Sequence, residues 1–144
     1  MSDFDFVIRK GSEKEKEEIL TKYPGTRNVI RDGGILILAL KYDEIIGFLW
    51  MFKREIPAPV NKNEWFINVI DVVDADCRCK GVGSGLVQEA IRYAKDDGVY
   101  QIRAYCDIAN VSSHMLWLKN GFSVSPVRLA DGSVPGSFVG LVIN

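Results

Sequence analysis

The chain has 144 residues, 47% of them hydrophobic, which is enough apolar material for one well-buried core and too little length for a second domain. Lysine and arginine number 18 against 19 aspartate and glutamate, so a formal charge of -1 leaves no basic stripe for a phosphate backbone to follow, and nucleic acid is not expected as a partner. Every apolar run stops well short of the ~20 residues that a membrane helix needs.

The elements are taken in chain order, and a single domain over residues 1–144 is expected. The start, Met1-Ser2-Asp3-Phe4-Asp5, is acidic and lacks the positive region and apolar stretch of a signal peptide, so the expectation is a cytoplasmic protein with no membrane partner and no disulfides. Phe4 to Arg9 is β-prone, and Gly11-Ser12 breaks it. Glu13 to Leu20 then predicts a helix with Ser12 as N-cap, acids in its first turn and a solvated Glu/Lys face, ended by Tyr23-Pro24-Gly25. After Gly33-Gly34, the β-rich runs Ile35 to Lys41 and Ile45 to Lys53 flank Tyr42-Asp43-Glu44 as a hairpin. Pro57-Ala58-Pro59 marks a loop, and Trp65 to Val73 has the near-continuous apolar pattern of a strand buried on both faces.

From Gly83 to Asp97, Leu86, Val87, Ala90, Ile91 and Ala94 recur at helical spacing, with Gly98 as the stop. Tyr100 to Cys106 is a strand, Ser112 to Asn120 a helix ended by Gly121, and Phe122 to Val127 and Phe138 to Ile143 are strands around Asp131-Gly132-Ser133. The order predicts an α/β fold, a mixed sheet flanked by helices with a βαβ unit at its centre.

Cys77, Cys79 and Cys106 are an odd count without a second close pair, so they assemble neither a disulfide framework nor a four-ligand zinc site, and no metal is expected. The segment Asp76-Cys77-Arg78-Cys79-Lys80-Gly81-Val82-Gly83-Ser84-Gly85-Leu86 stands between the buried strand and the helix. Glycines there let successive backbone N–H groups turn toward one spot at a helix start, which suits a phosphate or pyrophosphate. A nucleoside-triphosphate loop needs Gly-Lys-Ser/Thr at its end, whereas Lys80 precedes the glycines. A dinucleotide fingerprint needs a third glycine where Leu86 stands, although Asp107 could mimic its ribose-binding acid.

Arg78-x-x-Gly81-x-Gly83, followed by Ser84 and an apolar helix, resembles the acyl-CoA loop of the GNAT superfamily of N-acetyltransferases, Gln/Arg-x-x-Gly-x-Gly/Ala. Downstream, Asn110-Val-Ser-Ser113-His-Met-Leu116-Trp117-Leu-Lys119-Asn-Gly121-Phe122 resembles the second signature of that family, Asn-x-x-Ala-x-x-Leu-Tyr-x-Lys-x-Gly-Phe. The resemblance runs from the Val7-Ile8-Arg9 strand to the last hairpin and implies a mostly antiparallel twisted sheet. It implies acetyl-CoA as cosubstrate, with its pyrophosphate held by backbone N–H groups of Cys79, Lys80, Gly81, Val82, Gly83 and Ser84, and Arg78 and Lys80 adding modest attraction. The strand end Asp71, Val72 and Val73 would pair with the pantetheine arm, and Asn110 matches a pantetheine-bonding position. Trp117 occupies the place of the tyrosine that protonates the leaving thiolate, and an indole N–H donates a hydrogen bond but gives up no proton.

The implied chemistry is direct attack of a neutral primary amine on the thioester, which needs an oxyanion donor, a route for the amine proton and an acid for the thiolate. Asp71, within Val69-Ile70-Asp71-Val72-Val73, is the candidate base, since a buried unpaired carboxylate is costly; it shares parity with Ile67, the position where the family's common acid falls. His114, one helical turn after Asn110, and Tyr105 and Cys106 are alternative site groups. Acceptor choice is expected in Lys22 to Gly34 and Arg128 to Pro135, which carry Arg27, Arg31, Asp32, Arg128 and Asp131 and name no particular amine. A homodimer stays open, and the competing function is a CoA-binding module without turnover.

Overall fold

The computed structural model describes residues 5–30 and 33–144. Seven strands form one sheet: β1 (Val7–Lys10), β2 (Gly34–Lys41), β3 (Glu44–Ile56), β4 (Lys62–Val72), β5 (Gln101–Asp107), β6 (Ser123–Val127) and β7 (Gly136–Val142). The helices are α1 (Glu13–Lys22), α2 (Val82–Asp97) and α3 (Val111–Lys119), with short 3-10 turns at Pro24–Asn28 and Ala75–Cys77. The strand order is β1-β2-β3-β4-β5-β7-β6, and every pairing is antiparallel except β4 with β5, the pair that α2 connects. The mixed, mostly antiparallel sheet and its central βαβ unit follow the reading of the sequence. The strand expected from Phe4 begins at Val7, and Phe4 itself lies outside the described residues, as do Arg31 and Asp32.

Local chemistry sets the helix limits. Ser12 caps α1 in a reciprocal box, its hydroxyl accepting from the Glu15 N–H while the Glu15 carboxylate accepts from the Ser12 N–H. Gly98 ends α2 at a left-handed φ of 73°, a conformation that glycine adopts without a Cβ penalty.

Each face of the sheet has its own core. On one face Ile37, Leu49, Trp65, Ile67, Ile102 and Ala104 pack with Leu86, Val87 and Ala90 of α2 and Trp117 of α3. On the other, Leu36, Leu38, Phe48 and Trp50 pack with Ile19 and Leu20 of α1 and Ile30 beyond it. Gly47 lets α2 press close, because a Cβ there would stand 3.2 Å from Val82 Cγ1 and 3.1 Å from the Asp71 carbonyl. Glu64 at the start of β4 is only 2% exposed, yet its carboxylate accepts from Arg103, Gln101 and Arg54. Burial pushes its pKa up, but those donors outweigh burial and hold the carboxyl below its ordinary value.

Candidate active site at the split between two strands

The two parallel strands pair only from Glu64–Gln101 to Ile67–Ala104. Beyond that point β4 keeps only β3 as a strand partner and β5 keeps only β7, so Asn68–Val72 and Tyr105–Asp107 face each other with no strand between them, although the Val72 carbonyl accepts from Arg78 and the Asp107 carbonyl from the Asn110 N–H. A bulge explains the parting: Trp50 opposes Val69 while Met51 opposes Ile67, leaving Asn68 as an extra residue that bends β4. Asn68 is itself tied down, its Nδ2 donating to the Val29 carbonyl at 2.8 Å. The gap is a slot in which an extended amide-bearing chain can hydrogen bond as a strand would.

The bulge also corrects a parity. Counted along an unbroken strand, Asp71 shares a face with Ile67, but the extra residue shifts the alternation. Ile67, Ile70 and Val72 pack on the α2 side, whereas Val69 and Val73 pack on the α1 side, and Asp71 lies between those two, opposite Phe48. Asp71 is also exposed, so the burial that the sequence argument relied on is absent.

At the end of β4 the chain turns through Ala75–Cys77, capped by Asp74, and enters α2 through two left-handed residues, Cys79 at φ 60° and Gly81 at φ 87°. The first bonded amide of α2 is Gly85, which donates to the Gly81 carbonyl. The amides of Cys79, Lys80, Gly81, Val82, Gly83 and Ser84 donate to no protein acceptor among the described residues. Successive orphan N–H groups at the positive end of a sixteen-residue helix suit an anion, and Arg78 and Lys80 add positive charge beside them. Arg78 also donates from Nε to the Val72 carbonyl at 3.2 Å, fastening the loop to the end of β4. Ser84 is linked to α3, its Oγ accepting from Asn120 Nδ2 at 3.2 Å, while Leu116 packs beside Gly83.

Asn110 follows β5 and caps α3, its Oδ1 accepting from the Ser113 N–H at 3.0 Å, which leaves its two amide hydrogens as donors at the mouth of the slot. Trp117 belongs to the core under α3. It is 1% exposed, packs on Phe122 and donates from Nε1 to Ser113 Oγ at 3.1 Å, so its only polar group is already used. His114 is half-buried, its Nδ1 3.0 Å from the Asn110 carbonyl and 3.2 Å from Cys106 Sγ. Tyr105 is 40% exposed on the opposite face of β5, edge-on to Phe138.

The cysteines separate. Cys79 is exposed, and Cys77 and Cys106 are buried. Burial, and after it the Asp74 carboxylate, push the Cys77 thiol up, away from the thiolate form. Among the described residues, no group of three possible metal ligands comes together, and no helix is long and apolar enough to cross a membrane. Sequence reasoning missed Asn68 and Asn120. A bulge has no signature in the strand's own residues, but Asn120 stands inside the second signature, next to its glycine.

A slot between diverging parallel strands leads to a donor-rich helix start, a geometry that suits an extended, amide-bearing chain with an anionic group. The family model described as the acetyltransferase (GNAT) family matches residues 5–122, and the chain belongs to that family of acetyl-CoA-dependent N-acetyltransferases. Mycothiol acetyltransferase of Segniliparus rotundus is 29% identical over 93 residues, 63% of this chain, and the chain spans only 34% of that relative's length. Among solved structures, a GNAT-family acetyltransferase from Streptococcus pneumoniae superposes with a TM-score of 0.74 at 16% identity, covering 97% of this chain and all of the other. Arabidopsis thaliana NAA60 in complex with acetyl-CoA superposes at 0.71 and 15% identity, covering 97% and 99%. Identities this low establish the shared fold.

Proposed function

We propose that this chain transfers the acetyl group of acetyl-CoA to a primary amine by direct attack, and that one continuous feature carries the reading: the open edge of β4 runs into the donor-rich start of α2. The residues suit acetyl-CoA chemically. The amides of Cys79 to Ser84 would hold the pyrophosphate, the strand end at Asp71, Val72 and Val73 would pair with the pantetheine amides through the backbone groups left after Val73 donates to Ile46 and Val72 accepts from Arg78, and Asn110 would bond the arm from the other wall. Such backbone binding leaves Cys79 and Val82 free of side-chain requirements.

In this reading the amine approaches from the α1 side, where Asp71 lies exposed. Its proposed role rests on position rather than on burial. A carboxylate at that rim attracts a cationic amine and accepts the proton released on attack, directly or through water. The acceptor is a small molecule or a peptide terminus, selected by the segment from Lys22 and the loop from Arg128 to Pro135. That loop is held by Arg128 donating to the Gly132 carbonyl and by the Asp131 turn with Ser133.

A second reading, a CoA-binding module without turnover, is favoured by Trp117, which fills the tyrosine position with a buried and committed indole. Thiol release from acetyl-CoA over a panel of amines separates the two. Amine-dependent release supports the transferase, and tight binding without release supports the module.

A further inference from the structure

We propose that His114 supplies the proton taken up by the departing CoA sulfur; this deepens the transferase reading above and rests on it. Three placements support the assignment. First, Trp117 cannot perform this step, because its indole is 1% exposed and its N–H is donated to Ser113. Second, the imidazole sits at the wall of the slot. Its partner Cys106 lies on β5 two residues beyond Ala104, the last residue paired with β4, and its other partner is the carbonyl of Asn110, the α3 cap. Third, His114 and Asp71 flank the slot from opposite faces of the sheet. Cys106 belongs to the core under α2 and α3, whereas Asp71 faces the α1 side. An amine arriving on one face and a sulfur leaving toward the other each meet a proton-transfer group of their own.

The contacts of Nδ1 set which ring nitrogen carries hydrogen. A carbonyl only accepts, so Nδ1 carries hydrogen toward Asn110, and Cys106 Sγ lies beside the same N–H. Cys106 is therefore not deprotonated by this ring, and its thiol hydrogen has the Asp107 and Asn110 carbonyls, each 3.7 Å away. Nε2 has no protein partner among the described residues. Since no buried side-chain nitrogen there lacks a partner, Nε2 keeps solvent exposure and is not sealed in the core.

The step balances without another reagent. As the tetrahedral adduct collapses, the C–S bond breaks, its electron pair goes to sulfur, and sulfur takes the proton from Nε2 of the imidazolium. The carbonyl re-forms as the product amide. The ring is left neutral with hydrogen on Nδ1, the tautomer that the Asn110 carbonyl favours, and Nε2 recovers a proton from water. The proton lost by the amine leaves through Asp71 or solvent, so amine and thioester become amide and thiol.

The test uses the full chain with His114→Asn, whose carboxamide can still donate to the Asn110 carbonyl, and His114→Gln as a second variant should the first fold poorly. Two acetyl donors are compared with an amine from the panel: acetyl-CoA, and an aryl thioacetate whose acidic thiol leaves unaided. Acetylated amine is read by mass spectrometry. Turnover of acetyl-CoA should fall about a hundredfold with KM for acetyl-CoA little changed, while transfer from the aryl thioacetate falls less than about threefold. Equal losses with both donors would reduce His114 to holding α3 in place, and undiminished turnover of acetyl-CoA would remove it from the reaction; either overturns the proposal. Wild-type chain that acetylates no amine from either donor overturns the transferase reading, and the role of His114 with it, a result separate from any effect of the variants.

Discussion

Replacing Gly83 with aspartate should move stability and binding in opposite directions. Gly83 is the second residue of α2, and a Cβ built there meets only Leu116 methyls at 3.4 and 3.5 Å, an ordinary contact. The side chain is accommodated, and a carboxylate in the first turn of a helix is favourable by about 0.3–1 kcal/mol, with a further gain from replacing glycine. The same carboxylate occupies the seat proposed for pyrophosphate. Two like charges about 4 Å apart at an effective dielectric near 20 repel by roughly 4 kcal/mol, and salt screening leaves about 2–3 kcal/mol, or roughly 30- to 150-fold in Kd. Calorimetry with acetyl-CoA and thermal unfolding without it provide the two readings, and Gly83→Ala controls for bulk. A folded Gly83→Asp variant that binds acetyl-CoA within about threefold of wild type refutes the loop as the anion seat.

Further outcomes follow from the same structure. Asp71→Asn keeps shape and removes basicity, so turnover should fall by roughly ten- to a hundredfold with acetyl-CoA affinity nearly unchanged; full turnover at neutral pH would leave solvent as the acceptor. Glu64→Gln breaks a buried ion cluster whose arginines are partly solvated, so unfolding in urea should show a loss of about 2–3 kcal/mol, and a loss below about 0.5 kcal/mol would contradict the cluster's importance. Because the folded pKa of Glu64 is depressed, its contribution is present above the unfolded value of about 4.3 and is lost as pH falls through the folded value. Acid unfolding of the wild type should therefore show a component that Glu64→Gln lacks. The joint variant Cys77→Ala, Cys79→Ser and Cys106→Ser should keep turnover within about threefold, since direct attack needs no acyl-enzyme; loss of transfer in a stable protein would point to a thiol in the reaction.

Much of this molecule was decided locally and can be read along the chain. Ser12 and Glu15 cap a helix by their spacing, Gly98 stops one by its φ, and the apolar stripe from Leu86 to Ala94 marks a face to be buried. Arg78, Gly81 and Gly83 mark the turn into α2, proposed above as the anion seat, because backbone geometry at a helix start depends on residue types a few positions apart. What depended on contacts across the chain stayed out of reach. The bulge at Asn68 arises from the registration of β4 against β3, and that one residue moves Asp71 to the other face of the sheet. The exposure of Asp71 follows from where β5 parts from β4, since a strand that looks doubly buried in sequence is covered only as far as its neighbours extend. Trp117 and His114 are three residues apart on one short helix, yet one is sealed against Phe122 and the other stays half-buried beside Asn110 and Cys106. Helical spacing narrows such choices, but only the packed sheet beneath α3 decides which side chain becomes core and which remains available for chemistry.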